Sequence, residues 1–376
     1  MAKSKATIKV ASAEEKTAKA ANGNSMKKAV GTAVNKKFDL ENYKKSKNLI
    51  QNVKFKDQQW IPLSPAFNDA ISLPGLPHGH VIVLRGHSDT GKTSTMLDAA
   101  KEFQKAGILP VFIITEMKFS WDYAKQTGFP VEETVDTETG EILYTGDFIY
   151  IDRSSLNSIE DVAAFIMSLL DDQKKGVLQT DVAIFWDSVG SIPSNQSLES
   201  GKNNAMWNAS ALSTQFGNFI NQRITLSRKA SEKYTNSLVI VSKVRIEYPM
   251  SGNPKEQPVM KNKGGDVFYW DASLVITHGN ITKSGVTKLV ATKNGKRVEW
   301  GKRTNIRVDK NHITDTTTTS KVIMTSHGFI RDDPKEIEAY KKAHRDEWLK
   351  VLGTDDFDMI EEEDARSVFD LIEEDE

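Results

Sequence analysis

Apolar positions in this chain cluster into short runs separated by stretches of helical spacing, starting near Trp60. His80-Val81-Ile82-Val83-Leu84-Arg85 reads as a buried strand, and residues 94–103 follow with Met96, Leu97, Ala100 and Phe103 on one helical face. Residues 108–115 form a second buried run that ends in Glu116. Residues 122–127 suggest a helix closed by Gly128-Phe129-Pro130, and 131–146 a polar hairpin. A third strand is expected over 147–151. Residues 158–171 are an amphipathic helix through Ile159, Val162, Ile166, Leu169 and Leu170. Val182-Ala183-Ile184-Phe185-Trp186-Asp187 is a fourth strand with a carboxylate at its end. A polar stretch over 194–208 leads into a long helix to about residue 228, then a fifth strand over 238–242. Residues 244–265 read as a polar loop, with further strands over 272–278, 287–292 and 305–308. Strands alternating with helices predict an α/β fold with a doubly wound, mainly parallel sheet and ligands at the strand carboxyl ends.

The flanks differ from this core. Residues 1–36 hold almost no large apolar side chain and read as a disordered basic segment. Over 38–53 a short helix capped by Asp39 carries Phe38, Leu40, Leu49, Ile50 and Val53. These are too few for a core of their own, so residues 37–59 are read as an oligomerisation helix. Residues 62–79, with Pro65, Pro74 and Pro77, read as a turn-rich lead-in to a core over 60–324. Residues 325–353 are expected to form a small helical appendage, and 354–376 an acidic tail.

The apolar fraction of 38% and mean hydropathy of −0.45 fit a chain with uncompacted ends. No run of eighteen apolar residues suggests a membrane span. Without cysteine there is neither disulfide nor thiolate chemistry, which agrees with a reducing, cytoplasmic setting. Formal net charge is −1, but it is sorted along the chain. Residues 1–57 carry fourteen Lys and five acids, a formal +9, whereas 354–376 carry twelve acids and one Arg, a formal −11. Such polarity suggests a polyanion-binding protein whose tail competes for the basic surface.

Gly86-His87-Ser88-Asp89-Thr90-Gly91-Lys92-Thr93 fits G-x-x-x-x-G-K-[ST], the phosphate-cradling loop, between the strand and helix that the motif requires. The glycines let successive amides face a phosphate, and the helix that starts near Ser94 adds its positive end. Lys92 supplies charge to the β- and γ-phosphates of a bound nucleotide, and the Thr93 hydroxyl completes a Mg2+ shell. Asp187 ends an apolar strand where a magnesium-holding acid belongs, and it would hold the ion through water beside Thr93. If its strand neighbours the loop strand, Glu116 can polarise a water for in-line attack.

In this order the tokens are similar to those of RecA-type strand-exchange recombinases, closest in layout to phage recombinases of the UvsX kind. They comprise Gly75-Leu76-Pro77-His78-Gly79, the phosphate loop, Glu116, Tyr123-Ala124 with Gly128, Asp187-Ser188 and Gly264-Gly265. The resemblance covers about residues 60–310 and implies a RecA-like ATPase core. It further implies ATP-dependent filaments on single-stranded DNA, pairing with homologous duplex DNA and strand exchange. Tyr123 matches a tyrosine that stacks on adenine, and Ser120 stands where the family often has an adenine-contacting Asp. Two DNA-channel loops map onto about 195–208, with Lys202 and Trp207, and onto 244–265. The second carries Arg245, Tyr248, Lys255, Lys261 and Lys263 before Gly264 and Gly265. Cations there can neutralise phosphates while aromatic and apolar groups stack on bases without reading sequence. Lys293 resembles a cation that reaches ATP on the next protomer, although its companion position is Gly295. Lys243 replaces a glutamine that senses the γ-phosphate.

Two other functions share this core: a hexameric DNA helicase, and a mediator paralogue that binds ATP without turnover. Residues 1–59 are too short and polar for the helicase's amino-terminal domain, and intact Lys92, Glu116 and Asp187 disfavour the mediator. In the acidic tail, Phe357, Ile360, Val368, Phe369 and Leu371 suggest a short docking helix for a loading mediator or a single-strand-binding protein.

Overall fold

A computed structural model describes residues 39–47, 54–248, 258–280, 284–293 and 296–347, and the backbone of 361–366. The chain divides into two units, Met1–Asn52 and Val53–Glu376. In the first, helix α1 (Leu40–Ser46) is capped by Asp39, whose carboxylate accepts from the Asn42 amide at 3.0 Å. None of its residues is buried. The expected ends of this helix, Phe38 and residues 48–53, lie outside the described residues, as does the basic segment 1–36.

The second unit opens with strand β1 (Trp60–Ile61), helix α2 (Pro65–Ile71) and strand β2 (Leu76–Pro77), which pairs antiparallel with β1. The stretch expected to be only turns therefore contains a helix. Pro65 occupies its first turn, where a missing amide costs nothing, and Ala66, Phe67, Ala70 and Ile71 are buried on one face.

The core elements follow in the predicted order. Strand β3 (Val81–Gly86), helix α3 (Lys92–Lys105), strand β4 (Leu109–Ile114) and helix α4 (Trp121–Gln126) precede an antiparallel hairpin of β5 (Glu132–Val135) and β6 (Ile142–Thr145). Next come β7 (Ile149–Asp152) and α5 (Ile159–Lys175). A reciprocal Ser158–Asp161 capping box starts α5, and Gly176 ends it at φ 76°. Strand β8 (Val182–Val189) leads to α6 (Asn195–Glu199), α7 (Ala205–Leu212), a π-helical segment (Ser213–Ile220) and α8 (Asn221–Leu226). Strands β9 (Asn236–Glu247) and β10 (Val259–Asn262), helix α9 (Val267–Asp271) and strand β11 (Leu274–His278) complete this part.

The carboxyl-terminal third is richer in strands than expected. It holds β12 (Thr287–Lys293), β13 (Lys296–Asn311), β14 (Thr319–Thr325), β15 (Gly328–Arg331), α10 (Pro334–Ala343) and β16 (Glu361–Arg366). The region expected to be a helical appendage is therefore a strand and a helix. Ile323 and Phe329 are buried in the sheet, and Tyr340 of α10 packs with Leu289 and Trp300 in a small separate core. Within the acidic tail, residues expected to be helical pair antiparallel with β12, Val290 opposite Glu363. An open sheet edge offers unpaired amides and carbonyls, and backbone pairing satisfies them whatever the side chains.

The large sheet runs β15-β14-β13-β11-β3-β9-β8-β4-β7. The six strands from β11 to β7 are mutually parallel, and β13, β14 and β15 add antiparallel. One face packs on α2 and α3, with Phe67, Met96, Phe103 and Phe112 at its centre. The other packs on α5 and the π-helical segment, where Trp186 lies 5.1 Å from Phe216 in a stacked pair. Parallel strands covered on both faces must be apolar throughout, which is why β3 and β8 read as unbroken hydrophobic runs. Among the described residues no helix is long and apolar enough to cross a membrane.

His80, at the entrance to β3, is buried between Ser273 and Gln58, 2.8 Å from each of its ring nitrogens. Burial, then the charges of Arg228 and His78, lower its pKa to about 3. The unfolded chain therefore takes up a proton near pH 6.5 that the fold refuses, so stability is complete above that pH and declines below it. His80 should contribute a loss of about 1.4 kcal/mol per pH unit below 6.5. Urea titrations at pH 5, 6 and 7 should show a shallower decline for His80→Gln; an unchanged slope would contradict a neutral buried imidazole.

Candidate nucleotide site

Sheet register gathers the site. Gly86 at the end of β3 pairs with Lys243 of β9, and Ile114 of β4 pairs with Asp187 of β8. Gly86 is required here because a Cβ would come within 2.2 Å of the His278 carbonyl on β11. After it the loop bends, with Asp89 at φ 59° and Gly91 at φ 97°, and helix α3 begins at Lys92. The Thr90 hydroxyl donates to the His87 carbonyl at 2.9 Å, and the Lys92 ammonium donates to the same oxygen. Ser88 and Asp89 are exposed at the tip.

A cavity of about 600 Å³ opens over this loop. Its lining includes Ser88 through Ser94, Glu116, Tyr123, Asp187 and Lys243, so it collects most of the nucleotide-binding residues expected from sequence. The Thr93 hydroxyl donates to the Asp187 carboxylate at 2.8 Å. This hydroxyl–carboxylate pair is the all-oxygen donor chemistry that Mg2+ takes, so Thr93 and Asp187 fit the ion.

Glu116 corrects one premise. Strand β4 does not neighbour β3; β9 and β8 lie between them. The carboxylate nevertheless lines the cavity, because β4 is held in register beside β8 to its end, with the Thr115 amide donating to the Asp187 carbonyl at 2.7 Å. Glu116 accepts from the Ser188 hydroxyl and pairs with the Lys243 ammonium at 2.9 Å. The Asp187–Ser188 peptide between these groups is cis.

Burial and neighbouring charges shift Lys92, Glu116 and Asp187 in the cavity. Burial, partly offset by Asp187, Glu116 and Asp89, lowers the Lys92 pKa to about 8. Burial together with Glu116 raises Asp187 to about 6, against the Thr93 hydrogen bond and the two lysines. For Glu116 burial acts upward, but Ser188 and Lys243 outweigh it and hold the carboxylate below its ordinary range. Two cations, Lys92 and Lys243, thus face two carboxylates of opposite tendency, the setting in which acid and base roles separate.

Tyr123 lines the cavity with its hydroxyl 2.6 Å from Ser94, and burial raises its pKa. Ser120 caps α4 by accepting from the Tyr123 amide at 3.2 Å, so its hydroxyl serves the helix. Sequence reasoning missed Trp300, Met324, Ser326 and Tyr340, which line the far wall from the antiparallel strands and α10. It also missed His278, whose buried ring sits 2.9 Å from Thr95 beneath the loop and whose pKa burial lowers to about 3. The Lys293 backbone ends β12 opposite Lys296; its side chain lies outside the described residues.

The residues expected to meet DNA are more structured than loops. Residues 195–208 form α6 and the start of α7, with exposed Lys202 between them and half-buried Trp207 inside α7. The Asn208 side-chain oxygen (Oδ1) orders this stretch by accepting from the Ser194 amide (2.8 Å) and from the Ser194 (2.9 Å) and Ser197 (2.8 Å) hydroxyls. Within the expected loop 244–265, residues 244–247 of β9 pair antiparallel with β10, Lys261 opposite Arg245, and 249–257 lie outside the described residues. Arg245, Tyr248 and Lys263 are exposed, whereas Lys255 lies outside the described residues. Gly264 and Gly265, at φ 96° and 99°, bring the hairpin against Gly190 and Ala209. A Cβ on Gly190 would lie 2.8 Å from the Lys263 carbonyl, so the two segments touch through backbone.

A family model described as the RecA N-terminal domain matches residues 29–146. Together with the sheet order and the phosphate loop, this decides the fold. The core is RecA-like. Protein RecA of Mycoplasma mobile is 26% identical over 210 residues, 53% of this chain and 62% of that protein. Protein RecA of Desulforapulum autotrophicum is 23% identical over 274 residues, 71% of this chain and 66% of that protein. The chain thus spans somewhat under two thirds of these relatives. Protein RecA of Chloroherpeton thalassium is 34% identical over a shorter 74 residues, 19% of this chain. These distant similarities are to RecA proteins, and the fold of the core agrees with them.

Proposed function

We propose that the chain is an ATP-dependent DNA recombinase, of the phage UvsX-like kind, that polymerises on single-stranded DNA and pairs it with homologous duplex. The observation that supports this best is the Lys243–Glu116 ion pair, because it joins the two halves of such an activity. Glu116 lines the phosphate cavity, while Lys243 belongs to the strand that continues into the β9–β10 hairpin. The Lys263 amide, beside Gly264, donates to the Lys243 carbonyl at 2.7 Å. A displacement of the hairpin by DNA would therefore move the lysine that holds the base.

In the proposed reaction the loop amides and Lys92 grip the β- and γ-phosphates of ATP. Thr93 and Asp187 would hold Mg2+, which would supply charge neutralisation. Glu116 orients a water in line with the γ-phosphorus and takes its proton as the new P–O bond forms and the bond to the ADP oxygen breaks. Lys293 is proposed to reach the ATP of an adjacent protomer. Arg245, Tyr248, Lys261 and Lys263, with Lys202, Trp207 and Lys255, are proposed to contact the DNA backbone and bases. Steady-state ATPase should rise on adding oligo-dT, and negative-stain images should show helical filaments only with nucleotide. Closed rings would favour a helicase, and turnover indifferent to DNA would refute the proposal.

The acidic tail is proposed to compete with DNA for the basic surface and to contact a mediator or single-strand-binding protein. Removing residues 354–376 should tighten binding to single-stranded DNA by about tenfold at low salt and change its salt dependence. Superimposable isotherms for the full and shortened chains would refute that competition.

A further inference from the structure

We infer that His327, His344 and Glu347 form a binding site for a divalent transition metal of the zinc class at the rim of the nucleotide cavity. Ligand atoms from the three residues lie within 4.8 Å of one another. His327 Nε2 is 3.5 Å and His344 Nδ1 3.7 Å from the same Glu347 oxygen. A tetrahedral zinc shell with bonds of about 2.1 Å has ligand–ligand edges of roughly 3.4 Å, so both separations are near the required value. The donor set is two imidazoles and a carboxylate, a combination that zinc accepts and that Mg2+, with its demand for oxygen, does not favour.

The surroundings support ligation by His327 in particular. Its Nδ1 lies 3.1 Å from both the Tyr340 and the Ser326 hydroxyls. An Nδ1–H donated to either leaves the Nε2 lone pair directed at Glu347, the outer-shell arrangement typical of metal-bound histidine. The two rings stack, with centroids 3.7 Å apart and planes inclined by 18°. A shared ion must lie near the plane of each ring, so binding turns one of them. His344, at the carboxyl end of α10, is the ring that turns, because His327 is held by the two hydroxyls. Glu347, 57% exposed, is free to follow. Glu347, Tyr340 and Ser326 also line the cavity, so the fourth coordination position faces it. The site uses none of the residues assigned to ATP hydrolysis and stands or falls apart from that reading.

The test is titration of chelator-stripped full-length protein with Co2+, read by the visible absorption of four-coordinate cobalt, followed by displacement with Zn2+. One ion per chain should bind, and His344→Ala and Glu347→Gln should each weaken binding by tenfold or more while retaining the far-ultraviolet circular dichroism of the parent. Zn2+ should also raise the melting temperature of the parent and not of His344→Ala. Absence of the cobalt absorption, or an affinity equal to the parent's in both variants, would overturn the inference.

Discussion

Lys92→Ala should lower ATP turnover by about 10³-fold, the upper end of what loss of one hydrogen-bond donor to a developing charge ordinarily costs. The loss is this large because Lys92 acts on its neighbours as well as on the proposed phosphate. Its charge is one of the influences that keep the Asp187 pKa down at about 6. With the ammonium gone, that pKa climbs toward neutrality, and a protonated Asp187 is a poor partner for a divalent ion. Phosphate grip and metal grip should therefore weaken together, and raising the pH by one unit should restore part of the metal affinity but not the turnover. Ligand-free stability should move the other way or remain level, because burial already penalises this ammonium enough to lower its pKa to about 8. A coupled ATPase assay with thermal melts decides the matter. Turnover within tenfold of the parent, or a variant that melts far lower, would show that Lys92 is chiefly structural.

The parts of this site that were legible in the sequence are those in which one local rule settles both conformation and chemistry. Gly86 through Thr93 is such a case, since the loop must bend at glycine and its polar groups must face inward. Asp187 is another, a carboxylate ending an apolar strand that register carries to the same edge as Gly86. Glu116 was found for a reason that proved incomplete. Its strand is three places from β3, and pairing with β8, which carries Asp187, brings the carboxylate in. The far wall was not legible because Trp300, Met324 and Tyr340 come from antiparallel strands and a helix that meet only in the folded sheet. Strand β13 has mixed burial and many charges over 16 residues, so only its most apolar stretch resembles a strand in isolation. Residues 195–208 looked like a loop because their order depends on one asparagine bonding to two serines, a pattern without hydrophobic periodicity.

Glu116→Gln should retain ATP binding within a few-fold while lowering turnover by 10²- to 10⁴-fold, the usual worth of a positioned base. The amide preserves shape and can still accept from Ser188, but it cannot take a proton from water. Lys243 makes this variant informative about coupling. In the parent, part of the lysine's work is to hold the Glu116 carboxylate ionised and aimed. Lys243→Gln should therefore lower turnover less than Glu116→Gln, by roughly tenfold, and should blunt the stimulation by single-stranded DNA. The doubly substituted chain should be no slower than Glu116→Gln alone, because the lysine has lost the group through which it acts. Full additivity would instead mean that Lys243 contacts the phosphate directly, leaving the β9–β10 hairpin without this route to the base. Nucleotide affinity separates the two cases: direct contact predicts weaker ATP binding in Lys243→Gln, whereas action through Glu116 predicts a loss confined to turnover.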